Sequence, residues 1–155
     1  MPEVYQDMAA SNMEKYLIFT ILGKHYTFPS RFISEVTAFD KVYPLPLLPE
    51  YVKGVINRYS VPFALIDIGL LIREMPTPEV KVVVLKESVD KLAFLIDDVV
   101  DIIDVPVSNL LKVEQGVERD DITDIIESSF EWHDTHVFVL GIRQIINRVK
   151  TDFEL

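Results

Sequence analysis

The amino-acid sequence predicts a mainly β chain built as two related small barrel subdomains and closed by a C-terminal helix. Three observations predict it. Short apolar segments punctuated by glycine and proline crowd residues 23–67, which is punctuation for small barrels and not for βαβ units. A strand, turn, strand, bend pattern in residues 16–46 is echoed in residues 80–106. Near the end, Ile142, Ile145, Ile146 and Val149 fall on one helical face.

Taken in order, residues 1–13 read as a mobile arm, because Ala9-Ala10-Ser11-Asn12 has no amphipathic pattern long enough to nucleate a helix. The folded domain is expected over 14–150, with a short tail at 151–155. Tyr16-Leu17-Ile18-Phe19-Thr20-Ile21 is a continuous apolar run, as in a strand covered on both faces or closed into a small barrel. Gly23-Lys24-His25 turns the chain, and Tyr26-Thr27-Phe28 is a strand stopped by Pro29. Residues 31–36 read as one helical turn before another strand.

Pro44, Pro46 and Pro49 lack backbone donors, so residues 43–49 must be a crossing segment held by its leucines. A helical turn is expected at 50–53, capped by Gly54 in a left-handed conformation, with strands from Val55 to Asn57 and from Val61 to Asp67. Met75-Pro76-Thr77-Pro78 reads as the connector between the two subdomains. Strands follow at 80–85 and 92–97 around a polar turn at 86–91. Residues 114–129 are acidic and mostly loop, with Ile122, Ile125 and Ile126 available to dock one helical turn. The last strand, 136–140, leads through Gly141 into the closing helix.

At 155 residues and 49% apolar composition, the chain can bury a cooperative core as a single domain. It has no cysteine, which removes disulfides, thiolate metal sites and thiol nucleophiles together and fits a reducing cytoplasm. The start of the chain has no basic cluster or apolar core of a secretory signal, and no apolar run reaches membrane-spanning length. A formal net charge of −10, from 15 basic and 25 acidic residues, argues against nucleic acid and against bare anionic lipid as partners.

Asp97, Asp98, Asp101 and Asp104 raise a divalent-metal reading, but neighbouring residues on a strand face opposite sides and no metal-loop glycine or histidine lies at a usable offset. His25, placed in a turn, and His133 and His136, flanking a hairpin turn at Asp134-Thr135, have no elbow serine, cysteine or H-E-x-x-H pair beside them. Only 5 glycines are present and none cluster, so a phosphate-cradling loop is missing. Phe63 reads as core. Trp132 and Phe130 have the character of interface anchors or core, whereas Arg58-Tyr59-Ser60 interrupts an apolar run with polar groups that suit an exposed bend.

Several elements share an order and spacing with a known family. They are Gly23 to Pro29, Glu35-Val36, Leu45-Pro46-Leu47-Leu48-Pro49-Glu50-Tyr51-Val52-Lys53-Gly54-Val55-Ile56-Asn57, Asp67, residues 92–100 and residues 137–140. Each is weak alone; in this order they resemble the CheW family of bacterial chemotaxis coupling proteins, over roughly residues 14–149. The resemblance implies two intertwined five-stranded β-barrels similar to SH3 folds, no catalytic activity and no cofactor. It implies a cytoplasmic adaptor recruited to membrane receptor arrays. One barrel would dock the regulatory domain of the histidine kinase CheA, and a groove between barrels would hold the tip of a chemoreceptor.

Carried over residue by residue, Ile33, Glu35 and Val36 match a partner-facing segment of the first barrel, Leu95, Ile96 and Val99 match groove strands of the second, and Gly54 and Asn57 shape the junction. After Asn57 the family's Leu-Arg-Gly is Arg58-Tyr59-Ser60 here, which displaces the arginine by one position and would turn it to the opposite strand face. Ala64 stands where the family has proline, and Gly141 where a polar residue follows the last strand. These departures imply a divergent member with altered partner choice, and Arg58 and Tyr59, on the exposed bend, are read as partner contacts. A regulator in a non-chemotaxis pathway, such as surface motility or gene control, and a metal enzyme using the aspartates are the competing readings.

Overall fold

The computed structural model describes residues 12–112 and 124–153, so the expected arm and Ile122 lie outside it apart from Asn12 and Met13. The described strands are β1 (Met13–Ile21), β2 (Lys24–Pro29), β3 (Ile33–Ala38), β4 (Val52–Arg58), β5 (Val61–Ile66), β6 (Lys81–Leu85), β7 (Leu92–Ile96), β8 (Asp98–Pro106), β9 (Leu111–Lys112), β10 (Ile126–Trp132) and β11 (Thr135–Leu140). Two α-helices accompany them, α1 (Ile68–Leu71) and α2 (Ile142–Phe153). The closing helix therefore runs past Val149 into the expected tail.

The strands form two sheets, one ordered β8-β1-β2-β11-β10-β9 and the other β3-β6-β7-β5-β4. Both ends of the chain contribute to the six-stranded sheet, and the five-stranded sheet is one continuous stretch between them, which is how the two subdomains intertwine. Neither ladder closes on itself among the described residues. The six-stranded sheet is nonetheless strongly curled, for a geometric reason. Its edge strands β8 and β9 are consecutive, joined only by the 3-10 turn Val107–Asn109 and Leu110. Five flat strand spacings cover about 24 Å, whereas that link reaches at most about 17 Å.

The true crossings between subdomains are the 3-10 turn Ser30–Phe32 and the single residue Asp97, not Met75–Pro78. The proline segment instead returns to the same sheet because buried Asp67 captures it. The Asp67 carboxylate accepts from Leu70 N at 3.2 Å, from Thr77 N at 3.2 and 3.0 Å, and from the Thr77 hydroxyl at 2.6 Å. One acid thus caps α1 and pins the loop behind it. Asp97 is tied to the β1–β2 hairpin, its amide donating to Thr20 O at 2.8 Å and its carboxylate accepting from Gly23 N at 3.3 Å.

Strand alternation sorts the apolar residues into three cores. Tyr16 and Ile18 join Phe130, Val137 and Val139 inside the six-stranded sheet. Val82, Val84, Ala93 and Leu95 join Ile56 and Phe63 inside the five-stranded one. The opposite faces of the same strands, Leu17, Phe19, Ile21, Phe28, Val83, Leu85, Phe94 and Ile96, meet between the sheets, where Ile142, Ile145 and Val149 of α2 join them. This explains why β1, β6 and β7 read as unbroken apolar runs: both faces are buried. Across the helix, the Tyr51 hydroxyl donates to Asp152 at 2.5 Å; burial and that carboxylate push the Tyr51 pKa up.

Several local expectations are corrected. Glu50 and Tyr51 form a turn and not a helix, and β4 begins at Val52, because Tyr43 pairs with Val55 through reciprocal backbone bonds of 2.8 and 2.9 Å. Gly54 is therefore a strand residue at a register shift, with φ +139°, and not a helix cap. A Cβ there would lie 2.8 Å from the Tyr43 carbonyl carbon and 2.9 Å from Pro44 Cα. His25 sits in β2 opposite Thr20; the turn itself is Leu22-Gly23. Residues 126–129 are strand and not loop, their alternation hidden because the buried positions Ser128 and Ser129 are polar. The β10–β11 turn is His133-Asp134.

Gly54→Ala is expected to lower unfolding free energy by about 3 kcal/mol, since it combines a disfavoured φ with a backbone collision; urea denaturation checks this, and an unchanged midpoint would contradict the geometry. Burial, the largest cause, raises the pKa of both Tyr16 and Tyr26 to about 12 from 10.0. The folded state holds these protons more tightly, so their contribution is complete below pH 10 and lost as pH rises through about 12. The melting temperature should hold level to about pH 9.5 and fall above it, less steeply in Tyr26→Phe.

Candidate partner-binding surface

β3 and β4 are the two edge strands of the five-stranded sheet, β4 being covered at Val55 by Tyr43, and one ion pair joins them. Arg58 Nε donates to Glu35 Oε1 at 2.7 Å, with side chains 29% and 25% exposed. Ile56, two residues earlier on β4, points into the core, so Arg58 lies on the same inward side at the sheet's open end. The displaced arginine therefore closes a seam that no backbone ladder closes. The hydrogen bond to Glu35 raises the Arg58 pKa and keeps the guanidinium charged.

Beside it, Tyr59-Ser60 forms a two-residue hairpin between β4 and β5, with φ of 51° and 68°. Positive φ at both central residues is the turn geometry that matches strand twist, and it usually recruits glycine or asparagine. Neither residue here is glycine, so the turn carries a left-handed cost of about 1–2 kcal/mol per residue. The strained hairpin holds the Tyr59 ring out, 84% exposed, 5.2 Å from the Arg58 guanidinium. That proximity is a cation–π contact.

Of the ten residues singled out from the sequence, Glu35, Arg58 and Tyr59 come together at this seam, flanked by exposed Val36 and exposed Asn57. Buried Gly54 shapes the surface indirectly by admitting Tyr43. Ile33 and Val99 are half-buried against the core between the sheets. Leu95 and Ile96 are corrections. Both are fully buried, Leu95 inside the five-stranded sheet and Ile96 between the sheets, so they position strands and offer nothing to a partner. The placement in two barrels is also corrected: β3 and β7 belong to the same sheet, while Val99 lies on β8 of the other.

A second surface was not legible in the sequence. A cleft of about 710 Å³ opens between α2, the Ser30–Phe32 turn and the β6–β7 turn. Phe32, Ile142 and Ile146 give it an apolar lining, and Arg31, Arg143 and Lys150 supply cations. Glu127 also lines it, with its pKa raised mainly by burial. The single signal was Ile146 on the apolar face of the helix with Arg143 and Lys150 beside it. Segments 31–35 and 85–90 run together, joined by Lys86 N to Phe32 O at 2.9 Å, and form the wall between cleft and seam.

The carboxylates of the metal reading are occupied separately. Asp98 pairs with Lys81, Asp104 with Lys15 at 3.2 Å, and Asp101 accepts from Ile102 N at 2.7 Å. No group of three or more metal-binding side chains gathers among the described residues. The His25 ring is 6.3 Å from that of Trp132, and His136 pairs with Glu131. No helix among the described residues is long and apolar enough to cross a membrane.

The model of the CheW-like domain family matches residues 15–150, nearly the whole described chain. The protein belongs to the CheW-like domain family. "Chemotaxis protein CheW" of Bacillus subtilis (strain 168) is 25% identical to it over 111 residues, 69% of this chain and 70% of that relative. The crystal structure of scaffolding protein TtCheW from Thermoanaerobacter tengcongensis superposes with a TM-score of 0.73 at 17% identity, covering 83% of this chain and 88% of that one. This likeness establishes the CheW fold, two β subdomains with a terminal helix.

A double-mutant cycle of Glu35→Ala and Arg58→Ala in urea should return a coupling of about 1 kcal/mol, the upper end for a partly exposed pair. Purely additive losses would mean that the pair does not hold the seam.

Proposed function

We propose that this CheW-like protein is a noncatalytic cytoplasmic adaptor of bacterial chemotaxis, coupling the cytoplasmic tip of a chemoreceptor to the regulatory domain of the histidine kinase CheA. The observation that carries the reading is the family match across residues 15–150, and the Glu35–Arg58 pair at the seam supports it as a candidate contact. Its work is geometric. Two surfaces are held in fixed relation by a core that both subdomains share, and a signal passes as a shift in the populations of the assembly.

The reading assigns the open end of the five-stranded sheet, with Glu35, Arg58 and Tyr59, to the kinase domain. The cleft along α2 is assigned to the receptor tip, because an apolar lining with a charged rim suits a helix laid into a groove. Recruitment to receptor arrays follows from that contact and requires no membrane segment in this chain. The hairpin Arg58-Tyr59-Ser60 favours one second reading, a CheW-like regulator that binds kinase or receptor in another pathway.

Isothermal titration of the purified protein with the kinase regulatory domain and, separately, with a receptor-tip fragment tests the proposal. Micromolar binding to both is expected. Binding to the kinase domain alone would move the protein to the regulator reading, and binding to neither would overturn both.

A further inference from the structure

The cleft along α2 and the start of the chain are complementary in position, charge and apolar character. Phe32, Val89 and Ile146 are half-buried, so each offers part of its side chain to the cleft. On the helix wall Arg143 and Lys150 are exposed and make no ion pair among the described residues. We propose that residues 1–11, which lie outside the described residues, dock into this cleft of their own chain, with Glu3 and Asp7 on Arg143 and Lys150 and with Val4, Tyr5 and Met8 against Phe32, Val89 and Ile146. This docking goes beyond the adaptor reading and does not require it. Under that reading, the segment is what a partner laid in the cleft must displace.

Position selects this occupant. Arg31 on the cleft wall donates to Glu14 at 2.6 Å, so β1 begins at the rim of the cleft, and Asn12 is the first described residue ahead of it. The preceding eleven residues reach about 36 Å when extended. That is about twice the ~18 Å length of the 12-residue α2, so the cleft is in range without any change in the fold. Tethering also places the segment at an effective concentration of roughly millimolar. Charge selects the wall. Residues 1–11 carry Glu3 and Asp7 and no lysine or arginine. Arg31 is matched by Glu14, and Glu127 and Asp90 line the cleft from β10 and the β6–β7 turn, so an acidic segment is directed to the helix side. There Arg143 and Lys150 stand about 10 Å apart along the helix, and the extended step from Glu3 to Asp7 spans about 13 Å.

The full chain has no cysteine, so an engineered pair reports the contact. Under diamide, Gln6→Cys with Asn147→Cys, an exposed cleft residue, should form an intrachain disulfide at least ten-fold faster than Gln6→Cys with Met75→Cys, which is exposed and outside the cleft. Adding Glu3→Lys and Asp7→Lys should remove that advantage, and Arg143→Glu with Lys150→Glu on top of them should restore it. Equal rates for the two cysteine pairs overturn the docking. An advantage indifferent to the charge reversals overturns it as well, because mere proximity would then explain the rate. A disulfide-linked dimer as the main product at micromolar protein would assign the cleft to the segment of a second copy and overturn docking within one chain. Each outcome is read without kinase or receptor, so the adaptor reading stands or falls separately.

Discussion

The structure depends on one buried contact surface, the apolar layer where the two curled sheets lie against each other. Phe28 of the six-stranded sheet meets Phe94 of the five-stranded sheet at 5.0 Å between ring centroids, and Phe19 stacks behind Phe28 at 5.6 Å. The strands of Phe19 and Phe94, β1 and β7, also supply their other faces to separate interiors. Neither subdomain could therefore rotate against the other without exposing side chains of strands that both need. An adaptor that works by geometry requires this stiffness, and here it comes from strands that are buried twice, with α2 packed over the junction.

Away from that layer the fold leaves edges open. The five-stranded sheet ends in β3 and β4, and an unpaired edge is a liability in a free protein. Glu35 and Arg58 bridge it with side chains, which leaves a mouth that is charged at its rim and apolar beneath. The wall formed by residues 31–35 and 85–90 separates this mouth from the cleft along α2. The mouth and the cleft thus share a few hydrogen-bonded residues, joined by Lys86 N to Phe32 O.

How much was legible varies with the element, for reasons that can be named. Tyr16 to Ile21 announced a strand with two buried faces because all but Thr20 are apolar. The hairpin at Arg58-Tyr59-Ser60 was legible as an exposed bend because polar groups break an apolar run. β10 was hidden because Ser128 and Ser129 occupy buried positions, and the Met75–Pro78 segment looked like a boundary because its prolines bar a ladder. The capture of Thr77 by Asp67 spans ten residues, which no local pattern reveals. Leu95 and Ile96 resembled groove residues for the same reason that they are core: alternate positions of a doubly covered strand are all apolar.

By itself the sequence determined the mainly β class, the paired subdomains, the closing helix and membership of an adaptor family, because strand periodicity, turn residues and motif order are local or ordered along the chain. Only the tertiary structure decided which face of each strand is buried, that the displaced Arg58 reaches Glu35, and that the cleft and the seam lie on either side of one wall. Those outcomes depend on how far the sheets curl and which edges they bring together. Such long-range geometry is set by the packing of all three cores at once and is written in no single segment.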